Sequence, residues 1–344
     1  MENIKRVLVT GNLGYIGSIM TPLLIQEGYQ VIGLDAGFFE GEDFIKRERG
    51  VTYQIKKDIR DIELKDLDGI DTVIHLAALS DAPQEKLGIN LMMNINFEAS
   101  LRLAKLAKEA GVKKFLFASS CSTYGKADSD NLVTEEAELN PVSTYGISKV
   151  KVEEEISKLG DENFCPVFLR NATCYGISPR MRFDLVVNNL MGYAYTTGEI
   201  KIFSDGTPWR PIVHIEDVAQ ANLIILKASR EKVFNQKFNV GQNSENYQIK
   251  DIANIIAEIL PNTKIACLNI TGPDKRSYRV DFSKIKKLGF QPHWNLRKYI
   301  PMLSARMKDI DFSYEEFMSY KYHTQNFYEY LIKNKKLKKD LRWN

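Results

Sequence analysis

The fold is decided by the stretch Val7-Leu8-Val9-Thr10-Gly11-Asn12-Leu13-Gly14-Tyr15-Ile16-Gly17-Ser18. A short apolar run bounded by glycine is typical of a buried strand, and the amphipathic sequence that follows predicts a helix. In such a strand–turn–helix unit, glycine lets the chain turn without a Cβ clash and lets the backbone approach a pyrophosphate closely. The N–H groups at the helix N-terminus then face the anion. An ordinary glycine turn is the alternative, so the remaining sequence has to decide between the two.

An acidic residue ends the next predicted strand. Residues 29–35 read as this strand, after a helix that ends near Gly28, and Asp35 lies eighteen residues beyond Gly17. A carboxylate at this position accepts hydrogen bonds from a ribose diol and repels a 2′-phosphate. The spacing therefore favours NAD over NADP. A loop aspartate without a ligand is the alternative.

Further predicted strands alternate with helices along the chain. The segments 51–55, 72–78 and 114–120 read as strands, and 94–111 has a long helical pattern. This alternation predicts an α/β fold with a doubly wound parallel sheet. His75 lies among apolar residues in the middle of a strand, so a packed core histidine is favoured over a catalytic one.

The composition is that of an ordinary globular chain. Of its 344 residues, 44% are hydrophobic and 26% are charged, and the net charge of +3 argues against a nucleic-acid partner. The four cysteines and four histidines form no cluster with metal-ligand spacing, so no metal is expected. The apolar runs are too short for a membrane span or a signal peptide, which predicts a cytoplasmic protein without a membrane partner. The basic segment 333–342 is interpreted as a solvated helix end rather than an interaction tail.

Catalytic side chains are predicted where the strand 114–120 ends. Ser120 lies at the carboxyl edge of the sheet, and Tyr145 follows twenty-five residues later. The spacing of Tyr145 and Lys149 puts both side chains on one helical face. A tyrosine is a poor base at neutral pH, but a neighbouring ammonium group favours the phenolate. Tyr145 can then remove a proton from a sugar hydroxyl while hydride leaves for a nicotinamide, with Ser120 bonded to the same oxygen.

Together these motifs resemble the extended short-chain dehydrogenase/reductase family, in its branch of NAD-dependent nucleotide-sugar epimerases and dehydratases. The resemblance covers residues 5–295. It is carried by the glycine turn 10–17, Asp35, Asp58-Ile59, the segment 75–78, Asn96, Ser120, Tyr145, Lys149, the segment 210–218 and Asp281-Phe282-Ser283-Lys284.

The resemblance implies a Rossmann-type NAD-binding domain and a smaller C-terminal α/β domain for a nucleoside-diphosphate sugar, in a protein that forms a homodimer. The expected boundaries are 1–176 for the first domain, with a returning segment near 207–240, and 177–206 together with 241–344 for the second. Ser120, Tyr145 and Lys149 would be catalytic. The residues expected to contact NAD are Gly11, Gly14, Tyr15, Ile16, Gly17, Asp35, Asp58, Ile59, Ala77, Ala78, Tyr145 and Lys149.

The substrate is expected to meet hydroxyl, amide and guanidinium groups. The residues assigned to it are Ser80, Ser122, Asn171, Thr173, Arg180, Asn189, Arg210, Arg276 and Arg279. Arginine suits a diphosphate because its fork can donate two parallel hydrogen bonds. Thr173 stands where relatives usually carry an asparagine, and solvated surface positions are the alternative for the arginines. Phe203 and Trp209 are interpreted as core residues, with stacking on the base of the nucleotide as the alternative.

The two positions after Ser120 distinguish the reactions of this family. Sugar dehydratases usually carry a carboxylate there, because elimination of water across C5 and C6 needs an acid and a base. This chain has Cys121 and Ser122 instead. The sequence therefore argues against 4,6-dehydration and favours a C4 epimerase that acts through a transient 4-keto sugar. A nucleotide-sugar 4-dehydrogenase, a 4-keto reductase, a small-molecule carbonyl reductase and a non-catalytic NAD-sensing protein remain open.

Overall fold

A seven-stranded parallel sheet lies at the centre of the protein. The structure is a computed structural model that describes residues 5–41, 43–47, 50–80, 88–127, 131–268, 270 and 276–344. Its strands are β1 Arg6–Thr10, β2 Gln30–Asp35, β3 Tyr53–Lys56, β4 Thr72–His75, β5 Lys114–Ser120, β6 Cys165–Asn171, β7 Thr173–Tyr175, β8 Glu199–Ile202, β9 Trp209–His214, β10 Lys237–Val240, β11 Asn246–Gln248 and β12 Lys264–Cys267. The order in the main sheet is β10-β6-β5-β4-β1-β2-β3.

Helices cover both faces of this sheet, and further helices form the separate core beneath the smaller sheets. They are α1 Gly17–Gln26, α2 Ile89–Met93, α3 Ala99–Glu109, α4 Thr144–Ser157, α5 Val186–Thr197, α6 Ile215–Lys227, α7 Arg230–Val233, α8 Ile249–Ile259, α9 Ser283–Lys286, α10 Leu296–Asp309, α11 Tyr314–Met318 and α12 Thr324–Lys333. Side chains alternate across a strand, so Val7 and Val9 pack with α1 and α6 while Leu8 packs with α3, α4 and α12. The predicted doubly wound α/β fold is confirmed.

The order of the strands in the sheet reverses at β1, and this reversal positions the site. β1 pairs with β2 on one side and with β4 on the other, and all three strands run parallel. The chain crosses to opposite sides of the sheet from this point, which opens a crevice at the carboxyl ends of the strands. Thr10, Asp35, Ser120 and Asn171 all end their strands at this edge.

Two small sheets and a separate core follow β7. β9 pairs with β7 and β11, and β8 pairs with β12. The core beneath them is formed by residues of α5, α8 and α10, such as Val187, Ile252 and Leu303. β10 then returns to the main sheet beside β6. This arrangement gives the architecture that the resemblance implies, while the domain boundaries themselves stay a prediction.

The C-terminal segment departs from its predicted place. Residues 324–344 were assigned to the second domain, yet Phe327, Tyr328 and Leu331 of α12 share a core with Leu8 and Ile32 of the main sheet. The lysines of the basic tail are exposed, as the interpretation of a solvated helix end predicts, but its leucines are not. Leu337 and Leu341 are buried in the same core, and the indole N–H of Trp343 donates to the carbonyl of Ala36. Lysines dominate the sequence of this tail, but its spaced leucines decide its packing.

Several predicted boundaries also shift by a few residues. The predicted strand 72–78 ends at His75, and the predicted helix 94–111 consists of a π-helical segment Asn94–Glu98 followed by α3. The predicted strand 114–120 matches β5. In the described part of the chain, no helix is long and apolar enough to cross a membrane.

Candidate active site

A cavity of about 770 Å³ opens at the carboxyl edge of the main sheet. This volume falls in the range of small-molecule and cofactor sites. The glycine turn and Asp35 line one end, and Ser120, Tyr145 and Lys149 line the same cavity farther along the sheet. All twelve residues predicted to contact the cofactor lie in its lining. Their placement is compatible with those roles, which remain predictions.

The glycine turn leaves no room for side chains. Gly11 has φ of 72°, and a Cβ on it would lie 2.8 Å from the backbone nitrogen of Ala77. A Cβ on Gly17 would lie 2.2 Å from the carbonyl oxygen of Gly11. Helix α1 begins at Gly17 without a capping side chain. The N–H groups of Ser18 and Ile19 donate to the carbonyls of Gly14 and Ile16, so an anion would face the N–H groups of the turn that precedes Ser18.

Two carboxylates flank this turn. Asp35 accepts hydrogen bonds from the N–H groups of Leu13 (3.1 Å) and Gly37 (2.8 Å). Burial raises the pKa of Asp35, and these bonds oppose the rise. Burial also raises the pKa of Asp58, but the hydrogen bonds from Arg60 outweigh it, so the pKa of Asp58 is lowered. Both side chains line the cavity.

The buried side-chain amide of Asn96 binds the segment that follows β4. Asn96, in the π-helical segment, accepts from the N–H of Leu79 (2.8 Å) and donates to its carbonyl (2.9 Å). This clamp positions Ala77 and Ala78, whose small side chains leave space in the cavity. His75 is buried, bonded to Thr10 and Ser100, and burial lowers its pKa to about 3. It is the packed core histidine that its apolar neighbours predict.

Helix α4 presents Tyr145 and Lys149 to the cavity. The hydroxyl of Ser143 accepts from the N–H of Gly146 (3.1 Å) and caps the helix, so Tyr145 falls in its first turn. The Lys149 ammonium donates to the carbonyl of Ala118 (2.7 Å) and lies 5.4 Å from the Tyr145 ring centre. Burial lowers the pKa of Lys149 to about 7.

Ser120 ends β5 beside this pair. Its Oγ accepts a hydrogen bond from the N–H of Ser122 (3.1 Å), so its own hydroxyl proton can be donated elsewhere. In the sheet, Ser120 is the direct neighbour of Asn171 on β6. Serine hydroxyl, tyrosine and lysine thus share one cavity with the glycine turn, although they lie far apart in sequence.

A buried ion pair ties α4 to the sheet. Arg170 of β6 donates to both oxygens of Glu153, with a shortest distance of 2.7 Å. Glu153 also accepts from the hydroxyl of Ser119 (2.5 Å), the residue before Ser120. Glu153 lies one helical turn beyond Lys149. The pair therefore fixes the helix that carries Tyr145 against the strand that carries Ser120.

Most residues assigned to the substrate line the cavity, but two do not. Ser80, Asn171, Thr173, Arg180, Asn189, Arg210 and Arg276 are in the lining. Ser122 lies in the turn after β5, is only 2% exposed and is not in the lining. Arg279 stacks on Trp209 at 4.8 Å from the ring centre and also lies outside the lining. A substrate role for Ser122 or Arg279 is therefore not supported.

Sequence reasoning placed one aromatic residue wrongly and missed others. Phe203, interpreted as core, is 55% exposed and lines the cavity, whereas Trp209 is half-buried. Phe39, Thr324 and Tyr328 also line the cavity. Nothing in the local sequence marks these residues. Thr324 and Tyr328 belong to α12, which reaches the site only through the packing of its apolar face.

The fold and the cavity define a dinucleotide-binding α/β protein of the Rossmann type. A sequence model described as the NAD dependent epimerase/dehydratase family matches residues 7–241, and the chain belongs to this family. Its motifs place it in the extended short-chain dehydrogenase/reductase branch, and its cofactor is NAD. The tight backbone cradle at Gly11 and Gly17 and the ribose-accepting position of Asp35 fit this cofactor.

Known proteins similar to this chain include epimerases and a dehydratase. A UDP-glucose 4-epimerase of Bacillus subtilis is 27% identical over 261 residues, covering 68% of this chain and 76% of that protein. The UDP-glucuronic acid 4-epimerase of Bacillus cereus, solved with UDP-glucuronic acid and NAD, is 25% identical with a TM-score of 0.74, covering 89% and 99% of the two chains. TunA, an NAD-dependent NDP-hexosamine 5,6-dehydratase, has a TM-score of 0.78 over 89% and 98%, and at 22% identity it shows the fold alone.

Proposed function

We propose that this protein is a C4 epimerase of a nucleoside-diphosphate sugar, working through a transient 4-keto intermediate. The single observation that carries the proposal is the cavity shared by Ser120, Tyr145, Lys149 and the glycine turn. The two epimerases among the similar proteins support the same reaction. The predicted domain boundaries and the homodimer belong to this proposal as well.

The side chains divide the proton chemistry between them. NAD held at the glycine turn would supply the redox chemistry, as the acceptor and then the donor of a hydride at the sugar C4. Tyr145 removes the proton from the C4 hydroxyl and gives it back after the keto sugar has turned. The Lys149 ammonium favours the tyrosinate by its positive charge, and Ser120 donates a hydrogen bond to the C4 oxygen. At the other end of the sugar, Arg210 and Arg276 bind the diphosphate.

Among the described residues, the cavity lining also lacks the groups that dehydration would need. Among the described residues that line it, the carboxylates are those of Asp35, Asp58 and Asp184. Asp58 is bonded to Arg60 and Asp184 to Arg182, and Asp35 lies beside the glycine turn. Cys121 is buried, and burial raises the pKa of its thiol well above the ordinary value. None of these groups offers an unengaged acid next to Ser120.

The proposal is tested by incubating the protein with a panel of UDP-, GDP-, dTDP- and CDP-sugars and resolving the products by NMR. A C4 epimer formed without added oxidant is the expected product. A 4-keto-6-deoxy sugar would show that the protein is a dehydratase. A released 4-keto sugar, with accumulated reduced nicotinamide, would identify a 4-dehydrogenase instead.

A further inference from the structure

Arg180 is a buried cation that forms no salt bridge with any described residue. It follows β7 through the segment 176–179 and is only 1% exposed. Its Nη1 donates to the backbone carbonyls of Met181 (2.7 Å) and Lys321 (2.8 Å). Its guanidinium plane stacks on Phe39, with Cζ 3.9 Å from the ring centre. These contacts hold the group in one orientation.

The other two donor nitrogens of Arg180 have no protein partner. No described residue accepts a hydrogen bond from Nε or Nη2, although both atoms are buried. The nearby carboxylate of Asp184 is bonded to Arg182 (2.9 Å and 3.0 Å) rather than to Arg180. Burial lowers the pKa of Arg180 to about 10. An uncompensated buried guanidinium is unfavourable, so a bound anion would stabilise this arrangement.

The position of Arg180 shows which end of the cavity this anion occupies. Phe39 lies four residues beyond Asp35, and the charges of Arg180 and Asp35 both act on Tyr328 of α12. Arg180, Phe39 and Tyr328 all line the cavity. Arg210 instead donates to the carbonyl of Arg276, between β9 and the segment 276–281. The cation thus belongs to the end that holds the adenosine ribose.

We propose that Arg180 is a cofactor-binding residue, which supplies positive charge and two hydrogen-bond donors to the pyrophosphate of NAD across the cavity from the glycine turn. The pyrophosphate is the only anionic group of NAD, and this gives the unpartnered guanidinium its counter-charge. This proposal replaces the prediction from the sequence that Arg180 contacts the substrate. Thr324, whose N–H donates to Asp184, is a second polar residue in the lining of the cavity.

Binding measurements on protein freed of cofactor test this assignment. We expect Arg180→Met to raise the Kd of NAD at least about tenfold, the loss typical of a charge-assisted hydrogen bond. The affinity for UDP should stay within about twofold of that of the unaltered protein. Arg297→Met is the matched control, because Arg297 is exposed and pairs with Glu258 away from the cavity. This control should leave both affinities unchanged.

Arg180→Lys keeps the test decisive if the methionine variant fails to fold. Lysine retains the positive charge but cannot supply the Nε and Nη2 donors, so NAD binding should still weaken while the melting temperature of the cofactor-free protein is preserved. Unchanged NAD affinity in a folded Arg180→Lys or Arg180→Met variant would overturn the assignment. A weakened affinity for UDP with unchanged NAD binding would return Arg180 to the substrate. The affinities are measured by calorimetry with NAD or UDP alone, which needs no turnover. These outcomes therefore do not depend on the reaction proposed above.

Discussion

Tyr145 is the residue on which the proposed proton transfer depends. Replacing it by phenylalanine removes the hydroxyl and keeps the ring that packs in the first turn of α4. We expect Tyr145→Phe to lower kcat by about 10²- to 10⁴-fold, the usual contribution of a general acid–base group. NAD affinity and melting temperature should change little. A variant that retained near-full activity would show that another group moves the proton.

Lys149 should titrate far below an ordinary lysine. The ammonium group of Lys149 lies near the neutral His75, the carboxylate of Glu153 and the Tyr145 ring. The carboxylate raises the pKa of Lys149, but burial lowers it by more. We expect a pKa of about 7 in the cofactor-free protein, measured by NMR after reductive ¹³C-methylation, with Lys149→Met to assign the signal.

The same shift predicts a pH dependence of stability. The unfolded chain binds more protons than the folded one between pH 7 and the ordinary lysine pKa, so the free energy of unfolding should rise with pH in this window relative to Lys149→Met. A parallel pH dependence of the two proteins would contradict the shifted pKa.

Among the elements, α4 depends on its buried link to the sheet. The Glu153 and Arg170 side chains are 2% and 1% exposed, so removing one partner leaves an unpaired buried charge. We expect Glu153→Gln to lower the free energy of unfolding by about 3–5 kcal/mol, measured with urea. The double variant Glu153→Gln/Arg170→Met removes both charges and should recover part of this loss. Equal stability of the single and double variants would show that the charge pair is not the cause.

The C-terminal tail is a structural element rather than a loose end. Leu341 is fully buried although three of its four preceding residues are lysine or aspartate. We expect Leu341→Ala to destabilise the protein by about 2–5 kcal/mol through lost burial and the cavity left behind. Lys339→Ala, at an exposed position of the same tail, should have almost no effect in the same unfolding experiment. A small effect of Leu341→Ala would mean that the tail packs only weakly.

At the scale of the whole molecule, two segments distant in sequence meet at the end of the cavity that Asp35 lines. Phe38 and Phe39 pack on Tyr328 of α12, with ring centres 5.8 Å and 5.6 Å apart, and all three residues line the cavity. A cofactor held under these segments should leave slowly. This suits a reaction that regenerates its cofactor in every cycle.

We therefore expect NAD to copurify with the protein. Acid denaturation should release nicotinamide dinucleotide in stoichiometric amount, identified by chromatography, and extensive dialysis of the native protein should leave it bound. Rapid loss of cofactor on dialysis would favour a dehydrogenase that exchanges oxidised and reduced nicotinamide with solution.

Short-range patterns in the sequence predicted the sheet, the glycine turn and the set of Ser120, Tyr145 and Lys149 that shares the cavity. Their signals are local, since a buried strand, a glycine at positive φ and a tyrosine one helical turn from a lysine each depend on neighbours within a few residues. Once the strands are parallel, their carboxyl ends must meet at one edge. The cavity that joins Gly11, Ser120 and Tyr145 follows from that geometry.

Only the tertiary structure decided which end of the cavity Arg180 serves, that Ser122 and Arg279 lie outside it, and that Phe203 is exposed within it. It also decided that residues 324–344 pack on the main sheet. These outcomes depend on contacts between segments up to 307 residues apart, such as the bond from Trp343 to Ala36. Periodicity reveals that a face is apolar, but the surface it covers is selected by the packing of the whole chain.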